Sequence, residues 1–394
     1  MANGPLSGIT VVTLEHAIAA PFCTRQLADL GARVIKIERP GGGDFARTYD
    51  DRVRGLASHF VWTNRSKESL ALDLKHAEAR GILARLLAKA DVLVQNLAPG
   101  AADRLGLSFA ALRERHPRLI VCDISGYGDS GPYRDKKAYD LLIQSESGFL
   151  SITGSEEQPA KAGCSIADIA AGMYAYSNIL AALLQRAQTG AGARVEVSML
   201  EAMAEWMGYP LYYAIDGAAP PPRSGAAHAT IYPYGPFAAG DGKVVMLGLQ
   251  NEREWAIFCE KVLLRAELAR DERYAANARR TAAREELKAL IEQAFAGLTA
   301  EQVERRLDDA GIACARVNDM HDLWAHPQLK ARQRWVEVGS PAGPLAVLLP
   351  PGLPSTASAR MDPIPALGEH TRAILGELGY AEQEIERLAA AGAI

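Results

Sequence analysis

Asp168 is the acidic residue whose surroundings best suit covalent chemistry. It lies among small and apolar residues in KAGCSIADIAAGMYA (161–175), between a polar loop and a long apolar helix pattern over residues 169–185. A carboxylate partly removed from water is more reactive toward an acyl carbonyl, and a helix N-terminus favours its ionised form. Most acids at helix starts are caps, so the local sequence allows both a capping residue and a covalent nucleophile.

The composition is that of an ordinary globular protein. The 394 residues are 48% hydrophobic and 23% charged, which is enough for two or three domains with sizeable cores. A formal net charge of −4 provides no basic surplus for binding nucleic acid. We identify neither a signal peptide nor an apolar run of transmembrane length. We therefore expect a cytoplasmic protein that binds neither nucleic acid nor membrane.

Cysteine and histidine spacing argues against disulfides and metal sites. The five cysteines are an odd number, lie far apart and form no CxxC motif, which predicts reduced thiols. The eight histidines show no HxxxH or HxH spacing, so we predict no metal site.

Short apolar runs alternate with helical patterns through the N-terminal third of the chain. Strands are predicted at 8–15, 33–39, 69–74, 91–97 and 119–128, and helices at 20–32 and 77–90. This alternation predicts an α/β fold: a large Rossmann-like domain with a mostly parallel sheet and helices on both faces. Ligands on such sheets bind beyond the carboxyl ends of the strands, where Arg39, Asn96 and residues 126–128 follow.

A composition change separates a second domain. Residues 217–237 are rich in Pro, Gly and Ala and resemble a linker, and residues 234–249 form a predicted hairpin with an Asp-Gly turn. We predict a large domain over 1–215, a smaller α+β domain over 216–330 and a C-terminal segment over 331–394.

Cations and one glycine-rich loop lie near the predicted strand ends. PGGGDFAR (40–47) is not GxGxxG and does not follow the first strand, which disfavours a nicotinamide dehydrogenase; a flexible turn and a ligand loop both remain open. Tyr139 stands at a loop-to-helix entry, where a packed aromatic with a solvated hydroxyl is the common case. Four cations are separately typical of solvated surface charges, yet together could hold a polyphosphate: Arg39, Lys75, Arg104 and Lys137.

An ordered set of segments resembles the class III CoA-transferases of the formyl-CoA and carnitine-CoA transferase type. The resemblance runs from about residue 6 to residue 380. Its segments are PLSGITVVTLE (5–15), residues 20–44, NRSKESLALDL (64–74), VQNLAPGAADRLGL (94–107), ISGYGDSGPYRDKKAYD (124–140), TGAGARVEVSMLEA (189–202), HPQLKAR (326–332) and LGEHTRAILGELGY (367–380).

The resemblance implies roles for residues. Asp168 matches the aspartate that becomes acylated, and Tyr139 matches an active-site tyrosine. No tightly bound cofactor is implied, because the CoA thioester is a substrate. The resemblance also implies an interlocked homodimer in which residues 331–394 return to the large domain. The positions that match CoA contacts are Ala17, Ala19, Arg39, Lys75, Asn96, Arg104 and Lys137.

Departures from the formyl-CoA pattern bear on the substrate. Residues 247–255 lack a glycine run, Tyr49 stands in place of a tryptophan and Ile18 in place of a glutamine, which disfavours oxalate and formate. Residues 223–237 look most similar to the short-dicarboxylate branch. This similarity predicts CoA transfer from succinyl-CoA to a dicarboxylate, itaconate first. Its distal carboxylate would need a cation, for which the candidates are Arg47, Arg223 and His228.

Alternatives within and beyond this family are open. Other acceptors are malate, mesaconate, citramalate, carnitine and oxalate. A 2-methylacyl-CoA racemase would resemble this chain, but racemases place a histidine base where Tyr139 stands, so proton abstraction lacks its second base. A non-catalytic CoA-binding subunit is disfavoured because Asp168 is present.

Overall fold

A computed structural model describes residues 4–394 in two compact units. The first unit contains residues 4–147, 162–208 and 329–394, and the second contains Gly148–Lys161 and Tyr209–Gln328. Residues 209–215, predicted to lie in the large domain, belong to the second unit, as do residues 148–161. Residues 148–161 form an insertion between two helices of the first unit.

The strands of the described residues follow in chain order. They are β1 (Thr10–Leu14), β2 (Arg33–Glu38), β3 (Lys67–Ala71), β4 (Val92–Gln95), β5 (Ile120–Ser125), β6 (Arg194–Ser198), β7 (Tyr234–Ala238), β8 (Val244–Gly248), β9 (Ala313–Arg316), β10 (Trp335–Val338) and β11 (Leu345–Leu348).

The α-helices lie between and after these strands. They are α1 (Ala19–Asp29), α2 (Ser58–Thr63), α3 (Ala77–Leu87), α4 (Ala101–Arg104), α5 (Phe109–Arg115), α6 (Asp140–Glu146), α7 (Phe149–Ile152), α8 (Ile166–Thr189), α9 (Met199–Trp206), α10 (Gly208–Tyr213), α11 (Glu252–Ile257), α12 (Asn277–Ala282), α13 (Arg284–Phe295), α14 (Ala300–Ala310), α15 (Met320–Ala325), α16 (Pro327–Ala331), α17 (Thr371–Glu377) and α18 (Glu382–Ala390).

The first unit is built on a six-stranded sheet of order β3-β2-β1-β4-β5-β6. All neighbouring strands in it pair in parallel. The predicted α/β class with a mostly parallel sheet is confirmed. The strand order reverses between β1 and β4, so the loops after these two strands diverge and leave a crevice at the sheet's carboxyl edge. His16 and Asn96 stand in these two loops.

The central strands β1 and β4 are largely apolar, as is typical of a parallel sheet with helices on both faces. Val12, Ile35 and Leu93 are almost completely buried in a cluster that also holds Ile374 of α17 and Ile385 of α18. The C-terminal helices therefore contribute side chains to the core of the first unit.

The C-terminal segment also covers the outer edge of β3. The backbone N–H of His370 donates to the Ser69 carbonyl at 3.0 Å, and the N–H of Ala71 donates to Thr371 Oγ1 at 3.0 Å. An edge strand with unpaired backbone groups invites pairing with another chain, and these contacts occupy that edge.

The second unit has a three-stranded antiparallel sheet of order β7-β8-β9. β7 and β8 span the predicted hairpin, with Asp241 and Gly242 in the intervening turn. Its core contains buried aromatic side chains, among them Trp255, Phe258 and Phe295.

Helix α8 is long and apolar enough to cross a membrane by length and composition alone. Its mean hydropathy reaches 1.3 over an 18-residue window, which differs from the prediction that the chain has no apolar run of transmembrane length. The core helix of a globular protein meets the same criterion, and α8 packs along α1 and α9 and against β5 and β6. Packing thus accounts for the buried 39% of that window.

Candidate active site

Asp140 caps the helix that carries Asp168. Asp140 is the first residue of α6, and its Oδ1 accepts the backbone N–H groups of Ala167 at 2.8 Å and Asp168 at 3.3 Å. Its Oδ2 accepts the side-chain amide of the buried Gln144 at 2.7 Å, and Gln144 Oε1 in turn accepts the N–H of Ala162. The cap therefore comes from another helix, while Ser165 at the N-cap position makes no side-chain cap.

Asp168 is free of the capping role, which leaves its carboxylate available for chemistry. The side chain is only partly exposed, and no salt bridge reaches it from the part of the chain that the structure describes. Burial, together with the negative charge of Asp140, raises the pKa of Asp168 to about 7, although the backbone N–H of Ala19 favours the charged form. The expectation that the helix N-terminus keeps Asp168 ionised is wrong because Asp140 takes those N–H groups.

The N-terminus of α1 faces Asp168. Ile18, the N-cap residue, makes no side-chain cap, and the backbone N–H of Ala19 is directed at the Asp168 carboxyl group. Gly172, one turn beyond Asp168, allows this approach, because a Cβ there would lie 2.7 Å from the Ala19 carbonyl oxygen. The site thus joins a carboxylate on α8 to the positive end of α1.

Two side chains hold the loop that leads into α1. Asn96, after β4, accepts the His16 N–H on Oδ1 and donates Nδ2 to the His16 carbonyl, both at 2.9 Å. The next residue, Ala17, has a φ of 60°, an uncommon conformation for a residue with a side chain, and its N–H donates to Asp44 Oδ1 at 3.1 Å. The structure thus brings Ala17 and Asn96 together at the loop that leads to Ala19, whose N–H faces Asp168.

The His16 side chain forms part of an aromatic wall. Its ring stacks on Phe45, with centroids 5.2 Å apart, and Phe45 is followed by Tyr49 and then His59 in edge or tilted contacts. Burial lowers the pKa of His16 below its usual value in spite of the nearby Asp44. His16 is therefore neutral at pH 7.

A fully buried ionic network supports this loop from the sheet side. Lys36 Nζ donates to Asp44 Oδ2 at 2.7 Å and to Glu15 Oε1 at 3.3 Å, and Lys67 Nζ donates to Glu15 Oε1 at 2.6 Å. Against the effect of burial, Lys67 and Lys36 hold the pKa of Glu15 at about 2. Burial lowers the pKa of Lys67 to about 8, whereas the surrounding acids raise the pKa of Lys36.

Two tyrosines stand near the carboxyl group. Burial raises the pKa of Tyr49 to about 12, with further contributions from Asp44, Asp168 and Tyr139. Tyr49 therefore stays protonated and can donate its hydroxyl proton to a hydrogen bond. Tyr139 is 66% exposed and directly precedes α6.

The four cations predicted to hold phosphates all lie exposed beyond the carboxyl ends of strands. Arg39, after β2, is close enough to His16 to lower its pKa. Arg104 ends α4, and Lys75 follows β3, two strands away from β1. Lys137 is exposed, whereas its neighbour Lys136 pairs with Glu146 and lies 4.3 Å from the centre of the Tyr133 ring.

The three cations predicted to hold a substrate carboxylate have other contacts. Arg47 is bound to Glu38 through Nε and Nη2, both at 2.7 Å, and its guanidinium lies 3.7 Å from the centre of the Phe60 ring. Arg223 and His228 belong to the second unit. There Arg223 donates to the carbonyls of residues 155 and 156, and His228 Nδ1 accepts the N–H groups of residues 230 and 231.

The supporting residues Asp44, Asp140 and His16 are not among the site residues predicted from the sequence. Asp44 closes the glycine-rich segment: residues 40–42 form a turn, and Asp44 is buried and caps the short helix Phe45–Thr48. The sequence signal for Asp44 is an acid that follows a strand and a glycine-rich turn. Within residues 4–394, no group of three or more His, Cys, Asp or Glu side chains could hold a metal ion.

Comparison with known proteins relates this site to a family. Residues 6–371 match the family described as CoA-transferase family III. A succinate–glutarate CoA-transferase of Agrobacterium fabrum is 34% identical, covering 96% of this chain and 97% of its own. An acetyl-CoA:oxalate CoA-transferase of Acetobacter aceti is also 34% identical, covering 96% and 97%. The crystal structure of a CAIB/BAIF family protein from Brucella suis, 34% identical, superposes with a TM-score of 0.84 and covers 95% and 100%.

Proposed function

The chain belongs to CoA-transferase family III, and from that membership we propose that it moves CoA from succinyl-CoA to a C4–C5 dicarboxylate through a covalent Asp168 intermediate. One observation carries the proposal. Asp168 is a partly buried carboxylate without a cation partner among the described residues, and it faces the uncapped end of α1. A carboxylate in this setting is suited to nucleophilic attack on an acyl carbonyl.

The chemistry needs a carboxylate because carboxylates are exchanged. An Asp168 oxygen bonds to the thioester carbonyl carbon and the C–S bond breaks, which gives a mixed anhydride and CoA thiolate. The thiolate bonds to Asp168 Cγ, and the donor acid leaves with the anhydride oxygen. The acceptor carboxylate then attacks the aspartyl thioester and releases thiolate. The thiolate finally attacks the acceptor's acyl carbon and frees Asp168.

Each attack develops negative charge on a carbonyl oxygen, which hydrogen-bond donors must stabilise. The N–H of Ala19 is the backbone donor that faces Asp168, and Tyr49 and Tyr139 add hydroxyl groups. Tyr139 supports transferase over racemase chemistry, because a racemase needs a second base at this position.

Asp168 is tested by substitution and by trapping. Asp168→Asn should abolish transfer, because an amide cannot accept and return an acyl group. Hydroxylamine added to wild-type protein loaded with succinyl-CoA should convert Asp168 to a hydroxamate, visible by mass spectrometry of the peptide. Near-normal turnover by the Asp168→Asn protein would contradict the assignment.

The exposed cations at the carboxyl edge of the sheet are proposed to bind the CoA phosphates. A charged phosphate contact typically contributes about 1.5–3 kcal/mol. Replacing Arg39 and Arg104 together by alanine should therefore raise the KM for acyl-CoA roughly tenfold or more. Lys137→Ala should also raise the KM for acyl-CoA. Its matched control, Lys136→Ala, should not raise the KM, because it removes a cation already paired with Glu146. An unchanged KM in the double variant would place the CoA site elsewhere.

The acceptor is proposed to be a short dicarboxylate, with itaconate and glutarate as the first two to test. Supporting this choice are the resemblance of residues 223–237 to the short-dicarboxylate branch and the relative named for succinate and glutarate. Arg47, Arg223 and His228 are the proposed partners of the distal carboxylate, His228 as a neutral donor through Nε2 because its Nδ1 accepts two backbone N–H groups. Arg47 is the weaker candidate because its Nε and both terminal nitrogens already bind Glu38 or the Pro365 carbonyl.

A panel of acids with succinyl-CoA as donor tests the acceptor class. An acceptor without the distal carboxylate leaves a cation unpaired in the site, so butyrate and crotonate should be poorer than itaconate or glutarate by roughly tenfold. Carnitine should be poorer still. Higher kcat/KM for butyrate, carnitine or oxalate would overturn the dicarboxylate assignment and leave the CoA-transferase activity intact.

A homodimer is also proposed, supported by an exposed apolar stretch in and after α10. Leu211, Tyr212 and Ile215 are 60%, 77% and 57% exposed. Single exposed apolar residues are common on protein surfaces, whereas a continuous exposed apolar stretch marks an interaction site. One chain has a mass of 42.3 kDa, and sedimentation of the purified protein should give about twice that mass.

A further inference from the structure

Asp44 is a completely buried acid that touches the catalytic loop. Its Oδ1 accepts the N–H groups of Ala17 at 3.1 Å and Ala46 at 2.9 Å, and its Oδ2 accepts Lys36 Nζ at 2.7 Å. The side chain thus joins the buried ionic network of the sheet to the backbone that enters α1. The proposed transfer chemistry uses neither Asp44 nor Lys36 directly.

Ala17 needs such an anchor because of its backbone conformation. A positive φ is unfavourable for a residue with a Cβ and persists where neighbouring contacts impose it. Two contacts impose it here: Asn96 holds both backbone polar groups of His16, and Asp44 holds the N–H of Ala17. Without the second contact, Ala17 is free to relax to a negative φ and to redirect the residues that follow.

The residue displaced by such a change is Ala19, two positions later. Its N–H faces the Asp168 carboxyl group and favours the ionised form. A contact on Ala17 is therefore transmitted through two backbone units to the reacting carboxylate.

We propose that Asp44 is a positioning residue for the transfer reaction: held by Lys36, it fixes Ala17 so that the N–H of Ala19 stays directed at Asp168. The proposal deepens the proposed function and rests on Asp168 as the nucleophile. It assigns a role to the acid that follows the glycine turn and to the buried lysine paired with it.

The ionic network dictates the choice of variants. Removing Asp44 alone leaves the Lys36 charge uncompensated in the interior, which risks unfolding. Two double variants of identical net charge avoid this: the amide variant combines Lys36→Met with Asp44→Asn, and the methyl variant combines Lys36→Met with Asp44→Ala. Only the amide variant retains an oxygen that can accept the Ala17 N–H. Glu15 keeps its 2.6 Å contact with Lys67 in both.

The matched pair should differ in activity. We expect the methyl variant to have a kcat tenfold or more below that of the amide variant. Adding Ala17→Gly to the methyl variant should recover part of the loss, since glycine adopts positive φ without strain. Equal kcat values in the amide and methyl variants would overturn the proposal. Should both fail to fold, the charge-conserving Asp44→Glu, which displaces the acceptor oxygen by one methylene, must lower kcat.

A second measurement follows Asp168 without turnover. The carboxyl ¹³C signal of Asp168, assigned by its absence in Asp168→Asn, titrates under the influence of Asp140, Tyr49, Tyr139 and the Ala19 N–H. Loss of that N–H should raise its titration midpoint by about half a pH unit or more in the methyl variant. A kcat difference without this rise shows a merely structural role and overturns the proposal.

The two measurements separate this proposal from the proposed function. If wild-type protein transfers no CoA, the proposed function fails, while the titration midpoints still decide whether Asp44 directs Ala19 toward Asp168.

Discussion

Asp140 and Asp168 are two carboxylates near one helix end with opposite roles. Asp140 accepts the two N–H groups that the end of α8 offers, so it takes the benefit of the helix dipole. Asp168 is left with burial and a like charge, and its pKa rises to about 7. A nucleophile with such a pKa changes its charge within the physiological range.

Activity should therefore depend on pH near neutrality. Attack requires the carboxylate, so kcat/KM should rise with pH up to about 7 and then level. Asp140→Asn removes the like charge while it can retain the capping oxygen. It should move the acid limb of the profile, which is the rise of kcat/KM with pH, to lower pH by about one unit. Glu146→Gln, at the other end of α6, should leave the limb in place. An unmoved limb in Asp140→Asn would contradict the role given to Asp140.

Asp168 should also cost stability. Because its pKa is raised above 3.8 in the folded chain, the cost is small near pH 4, where the group is protonated in the folded chain and only partly ionised in the unfolded one, and it is complete above pH 7. Asp168→Asn should thus raise the free energy of unfolding at pH 8, by up to about 4 kcal/mol, and change it little at pH 4. Urea unfolding at both pH values measures this difference, and equal changes would argue against a raised pKa.

At the scale of elements, the contact between α1 and α8 sets the site. Gly172 has no Cβ, so the start of α1 can lie directly on α8, and Ala167, Ala170, Ala171 and Ala175 extend this surface of small buried side chains. The geometry between Ala19 and Asp168 is therefore a property of two helices in contact.

Gly172→Ala should separate the two helices. Its Cβ would meet the Ala19 carbonyl oxygen at 2.7 Å, so we expect a loss of about 1–3 kcal/mol in stability together with a lower kcat. Gly81→Ala in α3 is the matched control, because a Cβ there meets nothing within 4 Å. It should stabilise the chain by about 0.5–1 kcal/mol. Thermal unfolding and initial rates of both variants check the opposite signs.

The hydrophobic periodicity of the sequence predicted where helices and strands lie better than it predicted which side chains contact one another. The strand predicted at 33–39 is β2 (Arg33–Glu38), and the helix predicted at 169–185 is the centre of α8. The capping of α8 by Asp140 joins residues 27 and 28 positions apart, and Lys67 meets Glu15 across 52 positions. No local pattern encodes such pairs. The acids and lysines of the network resemble surface charges until the fold buries them.

At the scale of the whole chain, the first unit is assembled from distant segments. Thr371 lies 300 positions from Ala71, whose N–H it accepts, and Asp73 donates its N–H to the Ala393 carbonyl. Residues near both ends of the chain thus complete one sheet and one core.

Thr371→Val should weaken this closure. The change keeps the shape of the side chain but leaves the buried N–H of Ala71 without its acceptor, at a cost of about 1–3 kcal/mol. Thr356→Val, at an exposed threonine in the same segment, should change stability by less than about 0.5 kcal/mol. Equal denaturation midpoints for the two variants would contradict the importance of this contact.

The late closure of β3 has a consequence during protein synthesis. A ribosome that adds roughly 5–20 residues per second needs about 15–60 s to make the 300 residues between Ala71 and Thr371. Throughout that interval the nascent chain carries a sheet edge whose covering segment does not yet exist, and such edges pair readily with other chains. The edge of β3 therefore cannot be covered before residues 370 and 371 have been made, and a nascent chain stalled before residue 360 should depend on chaperones to stay soluble.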